Sequence, residues 1–215
     1  MNMPKRGDPR LPPADFSERD LGPVVEDWHG DFWRISHEDA PEADWSWSEE
    51  ARFSRPDQPF GVLYIAERKE TAFWERFGQE LQDQPVKARS MPEKLLAERV
   101  WKRISIMDTN PLRVLDVRKA STLRAMAADD ATFRAPYACT QAWAKAIMLH
   151  KDDLDGLVYT SRLNTPESCV ALFDKPGVGS GKLHITTGTG KLADDPEVLA
   201  ILLQENIRLL RPDKP

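Results

Sequence analysis

The chain has 215 residues, of which 40% are hydrophobic and 30% are charged, and its formal net charge at pH 7 is −5. These values are typical of one folded domain with a sizeable core, and they exclude a largely disordered chain. The negative charge argues against direct nucleic-acid binding, which needs concentrated lysine and arginine. No apolar segment approaches the roughly twenty residues of a membrane-spanning helix, so no membrane association is expected.

The few cysteines and histidines indicate the cellular compartment and argue against metal binding. The two cysteines, Cys139 and Cys169, are too few for a disulfide scaffold, and the basic start of the chain lacks the apolar segment of a signal peptide. Both features predict a cytoplasmic protein. The four histidines are scattered, and none has a cysteine or carboxylate at zinc-ligand spacing, so no metal site is expected.

Proline content separates the start of the chain from the rest. Residues 1–27 carry five of the seventeen prolines and show little hydrophobic periodicity, which predicts an extended arm that lies on the domain or is partly disordered. Residues 28–215 then form the globular domain. This domain begins with a strand at 31–36, an acidic loop at 37–50 that bears two tryptophans, and a buried strand within "FGVLYIA".

A helix is predicted over "TAFWERFGQEL", with Glu70 or Thr71 at its start. One side carries an apolar stripe that should face the core, whereas Glu75 lies on the opposite side. That position suits an ordinary surface helix and equally a helix that lines a polar cleft. The stripe consists of Phe73, Trp74, Phe77 and Leu81.

The second half of the chain mixes strands and helices without regular alternation. Residues 92–106 match a helix in "PEKLLAERVW" and a strand in "RVWKRISIM". Such an order favours an α+β fold, a mixed sheet with helices packed around it, over a doubly wound parallel fold. Further strands are predicted at 112–117, 157–161, 168–173 and 183–187, and helices at 120–129, 138–151 and 195–210.

The glycine-rich stretch "KPGVGSGKLHITTGTGKL", residues 175–192, is similar to a phosphate-binding loop in composition only. The P-loop pattern needs a glycine where this chain has Pro176 and a hydroxyl where it has Leu183. The residues that follow alternate as in a strand rather than a helix. We therefore expect a turn between two strands here, and no phosphate site.

Two charged segments each allow two interpretations. The acidic loop at 37–50 is a docking or lid segment, since exposed tryptophan is enriched at interfaces, or its Trp45 and Trp47 fold back on the core. The segment at 82–103 either lengthens a hairpin or recognises another protein.

Three polar residues stand at the ends of apolar strands, where a rigid sheet can present side chains to a ligand. They are Arg34 in "FWRIS", Tyr64 in "VLYIA" and Ser161 in "LVYTSR". Taken singly, each is better explained as a structural residue: a surface strand arginine, a core aromatic with a solvated hydroxyl, and an edge or turn hydroxyl.

The order and spacing of these residues resemble the RES domain, a family named for an arginine, a glutamate and a serine. The resemblance covers about residues 30–187 and implies a fold similar to the ADP-ribosyltransferase toxins, with a split mixed sheet that encloses a cleft for NAD+. The matching segments are "WRIS", "ARFSRPDQPFGVLYIAERKETAFWERFG", "LRVLDV", "YACTQAWAKAI" and "DGLVYTSRLNTPESCVALF".

The resemblance implies roles for five residues. Arg34 would pair with the pyrophosphate of NAD+, and Arg52 would be a second phosphate or ribose contact. Tyr64 would stack on the nicotinamide ring or bond its ribose. Glu75 matches the family's helix glutamate, which would stabilise the positive charge that develops on the ribose. Ser161 matches the family's serine and would hold the ribose or support the glutamate. All except Arg52 are implied to be catalytic.

Members of this family are toxins of toxin–antitoxin pairs, and the resemblance implies the same for this chain. The expected reaction cleaves the nicotinamide–ribose bond of NAD+ by hydrolysis or phosphorolysis, which depletes NAD+ and inhibits growth. One alternative is mono-ADP-ribosylation of a host protein, and another is a noncatalytic binding module. The implied partner is a helix-turn-helix antitoxin of the Xre type.

Overall fold

A computed structural model describes residues 11–211 of the protein. The described residues form strands β1 (Val25–Trp28), β2 (Gly30–His37), β3 (Val62–Ala66), β4 (Ser90–Pro92), β5 (Arg99–Ile106), β6 (Leu112–Asp116), β7 (Gly156–Thr160), β8 (Ser168–Phe173), β9 (Leu183–Lys191) and β10 (Arg208–Leu210). The helices are α1 (Lys69–Gln82), α2 (Glu93–Ala97), α3 (Ala120–Met126), α4 (Asp130–Arg134), α5 (Tyr137–Met148), α6 (Gly179–Lys182) and α7 (Pro196–Gln204).

Eight strands form one mixed sheet in the order β1-β6-β7-β8-β3-β2-β5-β9. Strands β6 and β7 run parallel, because α3, α4 and α5 intervene between them and return the chain to the same edge. The other neighbours in this sheet are antiparallel. The predicted α+β class with a mixed sheet is therefore confirmed.

The sheet is split between β2 and β3. In the described chain these strands share a single registered pair, Trp33 with Ala66. By contrast, β2 pairs with β5 over eight residues, and β3 pairs with β8 over five. Main-chain groups beyond Trp33 and Ala66 therefore need partners other than the sheet ladder. The split expected of this fold lies at this point.

Hydrophobic side chains fill both sides of the sheet. One core lies between the sheet and helices α1, α5 and α7, and it contains the whole predicted stripe of α1. A second core lies on the opposite face and is formed by side chains of β2, β3, β5, β6, β7 and β8 together with Val178. Strand β3 contributes Val62 and Ala66 to the first core and Leu63 and Ile65 to the second, which explains its continuous apolar sequence.

The N-terminal segment packs against α5, and residues 1–10 lie outside the described part. The ring of Phe16 is buried, with its centroid 5.1 Å from that of Trp143, and its carbonyl oxygen lies 3.1 Å from His150 Nε2. Leu21 is also buried, and the segment then continues into β1, which pairs with β6. Residues 11–27 are thus held on the domain by apolar packing.

The ambiguous region at 92–106 contains both predicted structures, because α2 forms its start and β5 the remainder. The segment at 82–103 does not simply lengthen a hairpin, since its strand β4 pairs in parallel with β10 near the C-terminus. The helix predicted over 195–210 is wrong at its end. It stops at Gln204, Asn206 adopts a left-handed φ of 55°, and β10 follows.

The glycine-rich stretch joins β8 to β9, as expected, with the single turn α6 inserted. Its lysines have structural partners. Lys182 Nζ donates to Asp155 Oδ2 at 2.6 Å and to the Pro111 carbonyl oxygen at 2.9 Å. Lys175 Nζ lies 2.7 Å from Asp153 Oδ1 and 3.4 Å from Asp155 Oδ1. Both charges are therefore neutralised by carboxylates of the protein itself.

Candidate active site

A cleft of about 450 Å³ opens where β2 and β3 diverge. Helix α1 forms one wall, and the acidic loop between β2 and β3 forms another. Four of the five residues singled out by the family resemblance line this cleft: Arg34, Arg52, Tyr64 and Glu75. The fifth, Ser161, lies directly behind Glu75. The structure thus brings together residues separated by more than a hundred positions in the sequence.

Glu75 lies on the exposed side of α1, and the apolar stripe of that helix is buried. The exposed side faces the cleft, so α1 is a cleft-lining helix. Two hydroxyl groups hold the carboxylate. Ser161 Oγ donates to Oε1 at 2.6 Å, and Tyr159 Oη donates to Oε2 at 3.4 Å. The side chain is thereby fixed in position.

Ser161 follows the last residue of β7, and only 1% of its surface is exposed. Its Oγ accepts hydrogen bonds from the main-chain N–H groups of Leu163 at 3.2 Å and Asn164 at 3.0 Å. Because these donors occupy its lone pairs, the single hydroxyl proton is directed at Glu75. The geometry makes Ser161 a positioning residue for the glutamate.

Tyr159 is a site residue that the sequence interpretation missed. It lies two residues before Ser161, and alternate residues of a strand point to the same face, so the spacing itself contained the signal. Burial, reinforced by the negative charge of Glu75, raises the pKa of Tyr159 well above its usual value. The phenol therefore stays protonated at neutral pH and remains a donor to the carboxylate.

Arg34 bridges the split in the sheet. Its Nη1 donates to the Tyr64 carbonyl oxygen at 3.0 Å, and its Nη2 donates to the carbonyl oxygen of Asp44 at 3.0 Å and to Asp44 Oδ2 at 3.2 Å. The guanidinium thus satisfies an acceptor that the diverging strands leave unpaired. Its Nε is buried and has no hydrogen-bond partner in the described chain.

Arg52 is also engaged with main-chain oxygens. Its Nη2 donates to the Phe133 carbonyl oxygen, and its Nη1 donates to that of Thr160 at 3.4 Å. The guanidinium carbon lies 5.0 Å from the ring centroid of Tyr159. Burial lowers the pKa of Arg52 from its usual value, though an arginine this basic stays charged at neutral pH. Arg52 therefore supports the wall that carries Tyr159.

Tyr64 lines the cleft from β3. Its hydroxyl oxygen accepts a hydrogen bond from the Phe53 N–H at 3.0 Å, and its ring stacks on that of Phe53 with centroids 6.4 Å apart. Burial raises the pKa of Tyr64 to about 12, so the phenol is neutral at physiological pH. The residue is rigidly placed, as an aromatic platform for a planar ligand requires.

The acidic loop is tied to the sheet by Lys102, which is buried in β5. Its ammonium group donates to three successive carbonyl oxygens: those of Ala40 at 3.2 Å, Pro41, and Glu42 at 3.2 Å. Trp45 folds back onto the second core, whereas Trp47 remains 43% exposed. Trp45 therefore folds back on the core, and the docking or lid role of the loop stays a prediction.

The cleft carries more positive than negative charge, although the chain as a whole is acidic. Arg76, Arg99 and Arg162 were not predicted as site residues. The position of Arg76 next to Glu75 on α1 was the available signal. Five arginines line the cleft, Arg34, Arg52, Arg76, Arg99 and Arg162, against three carboxylates, Asp44, Glu50 and Glu75.

Residues 11–211 show neither a metal-ligand group nor a membrane-spanning helix. No group of three or more histidine, cysteine or acidic side chains there could hold a metal ion. Within the same residues, no helix combines the length and the apolar character needed to cross a bilayer.

Known proteins resemble this chain in sequence and in fold. The probable toxin y4kH of Sinorhizobium fredii is 33% identical over 101 residues, which are 47% of this chain and 76% of that protein. A chain in the crystal structure of the M. tuberculosis MbcT-MbcA toxin-antitoxin complex superposes with a TM-score of 0.56 at 14% identity. The superposition covers 82% of this chain and 93% of that chain. At this identity the likeness concerns the fold alone.

A family model supplies the assignment. The model described as the RES domain matches residues 31–189, a range that contains Arg34, Glu75 and Ser161. This match spans well over half of the sequence, and the protein therefore belongs to the RES domain family.

Proposed function

We propose that this protein is a toxin that cleaves the nicotinamide–ribose bond of NAD+. The observation that carries the proposal is the placement of Glu75, whose carboxylate faces the cleft and is held from behind by Ser161 and Tyr159. The excess of arginine over carboxylate in the cleft complements the anionic pyrophosphate of NAD+. Family membership and the likeness to the probable toxin y4kH support the toxin class.

The reaction breaks the bond between the ribose C1′ and the pyridinium nitrogen. The bonding electrons leave with nicotinamide, which becomes neutral, and positive charge develops on the ribose. The Glu75 carboxylate stabilises that charge electrostatically. In hydrolysis, a water oxygen then bonds to C1′, and its proton passes to Glu75 or to solvent. Inorganic phosphate in place of water gives the phosphorolytic product.

The test is incubation of the purified protein with NAD+ alone, followed by chromatography of nicotinamide and the ADP-ribose product. We expect release of both without any protein partner, and comparison of buffers with and without phosphate identifies the acceptor. Release that requires cell lysate, with an ADP-ribose adduct on one protein, would establish mono-ADP-ribosylation of a host protein instead. No release under either condition would reject NAD+ as the substrate.

We also propose that an antitoxin binds this chain. The structural neighbour is the toxin of a toxin-antitoxin complex, and the family resemblance implies an Xre-type helix-turn-helix partner. Co-expression with a helix-turn-helix protein encoded beside this gene should relieve growth inhibition, and the two proteins should co-elute on size exclusion. Growth inhibition that persists, with separate elution, would contradict this pairing.

Ser161→Ala should lower kcat for nicotinamide release by roughly 10–100-fold and leave KM nearly unchanged, because Glu75 loses its shorter hydrogen bond. Tyr159→Phe removes the longer one and should have a smaller effect. Steady-state kinetics on the two variants and the wild type supply the comparison. A raised KM with unchanged kcat in Ser161→Ala would show instead that the hydroxyl contacts the ribose.

Lys182→Met should lower the free energy of unfolding by about 1–3 kcal/mol, since the buried Asp155 loses its nearest cation. NAD+ cleavage per folded molecule should not change, because Lys182 is absent from the cleft lining. Denaturant titration and the nicotinamide assay measure the two quantities. If the variant lost NAD+ cleavage but kept the stability of the wild type, a phosphate site in the glycine-rich stretch would be supported instead.

A further inference from the structure

Two arginines of the cleft have no hydrogen-bonding or ion-pair partner among the described residues. Arg76 of α1 and Arg99 of β5 both line the cleft, and neither forms an ion pair or a side-chain hydrogen bond within residues 11–211. The guanidinium of Arg76 lies 5.6 Å from the ring centroid of Phe77, on its own helix. The Nε of Arg99 is buried without an acceptor. Their hydrogen-bonding capacity is therefore available to a ligand.

Other unsatisfied donors line the same cleft. Six buried side-chain polar atoms lack a hydrogen-bond partner in the described chain, and three of them belong to cleft residues: Arg34 Nε, Ser36 Oγ and Arg99 Nε. Ser36 is only 2% exposed. Buried polar groups in folded proteins are almost always paired. Three residues with unpaired buried donors therefore surround one cleft, although the buried atoms themselves expose almost no surface to it.

The charges of Arg76 and Arg99 favour an anionic ligand. Burial lowers the pKa of Arg99, and the charge of Arg76 lowers it further, against the opposing charges of Glu98, Glu80 and Asp44. Both guanidinium groups line one cleft, so an anion bound between them would relieve their mutual repulsion. Guanidinium groups bind phosphate oxygens in a bidentate manner, with two parallel hydrogen bonds.

Arg34 and Arg52, by contrast, use their terminal nitrogens on the main chain. We propose that Arg76 and Arg99 bind the pyrophosphate of the dinucleotide substrate, while Arg34 and Arg52 shape the cleft. The proposal rests on the proposed function. Glu75 and Arg76 both line the cleft from α1, so one substrate can place its ribose at the glutamate and its pyrophosphate at the arginine.

The test compares Arg76→Met and Arg99→Met on two substrates, NAD+ and nicotinamide riboside, which has the same scissile bond and no phosphate. We expect KM for NAD+ to rise by roughly tenfold or more in each variant, with kcat/KM for nicotinamide riboside within about twofold of wild type. Arg124→Met, at an exposed arginine outside the cleft, is the matched control and should behave as wild type. Equal losses on both substrates, or no loss on NAD+, would overturn the proposal.

Binding of ADP-ribose, measured by calorimetry, separates this proposal from the proposed function. If the wild type cleaves neither substrate, the proposed function fails and the binding measurement still decides the role of the two arginines. We expect wild-type protein to bind ADP-ribose at least roughly tenfold more tightly than Arg99→Met does. Equal affinity in the two proteins, or no binding by the wild type, would reject the pyrophosphate site.

Discussion

Replacing Glu75 by glutamine should lower kcat for nicotinamide release by roughly 10³-fold or more, because the amide removes the negative charge beside the developing ribose cation. The exchange keeps the size of the side chain, and an amide oxygen still accepts the hydrogen bond from Ser161. Glu75 is exposed to the cleft, so the fold should remain intact. Circular dichroism and thermal unfolding should therefore match the wild type while activity is lost.

Glu80→Gln is the matched control for that experiment. Glu80 is an exposed glutamate on the same helix, and it does not line the cleft. Its replacement removes the same charge and should leave nicotinamide release unchanged. Growth assays extend the comparison to the cell, where Glu75→Gln should abolish inhibition. If Glu75→Gln inhibited growth as strongly as the wild type, both enzymatic proposals would fail and a noncatalytic binding module would be favoured.

Local patterns were sufficient to predict most of the individual elements. The stripe on α1 has helical spacing, and the alternation in β2 and β9 has strand spacing, so each element carries its own signal. The pairing of β4 with β10 was not predictable, because it joins segments more than a hundred residues apart. That pairing also explains why the helix predicted over 195–210 ends early.

The candidate site was only partly predictable, for a related physical reason. Spacing places Tyr159 and Ser161 on one face of the strand predicted at 157–161, and Glu75 opposite the apolar stripe of α1. These patterns do not predict that the two faces come together, with Ser161 Oγ donating to Glu75 Oε1 at 2.6 Å. Residues that depend on three-dimensional context, such as the buried Lys102 and the unpaired Arg99, become interpretable only once their neighbours are known.

Arg34→Ala should abolish most NAD+ cleavage, with kcat/KM lower by roughly 10²-fold or more, because the cleft would lose the side chain that spans its two walls. The change leaves the carbonyl oxygens of Tyr64 and Asp44 without their donor. The free energy of unfolding should fall by about 2–4 kcal/mol, since these hydrogen bonds are charge-assisted and the Arg34 side chain is mostly buried. Denaturant titration and the nicotinamide assay measure the two effects.

Arg34→Lys distinguishes the geometry of this residue from its charge. A lysine retains the positive charge but has only one nitrogen that can donate hydrogen bonds. Arg34 donates to the carbonyl oxygens of Tyr64 and Asp44 through two separate nitrogens. We therefore expect Arg34→Lys to lose nearly as much activity as Arg34→Ala. Arg103→Ala, on the adjacent strand β5, is the control, because its ion pair with Asp31 is exposed and contributes little. Full activity in Arg34→Lys would mean that only the charge matters, and Arg34 would then join Arg76 and Arg99 as a direct contact for the substrate anion.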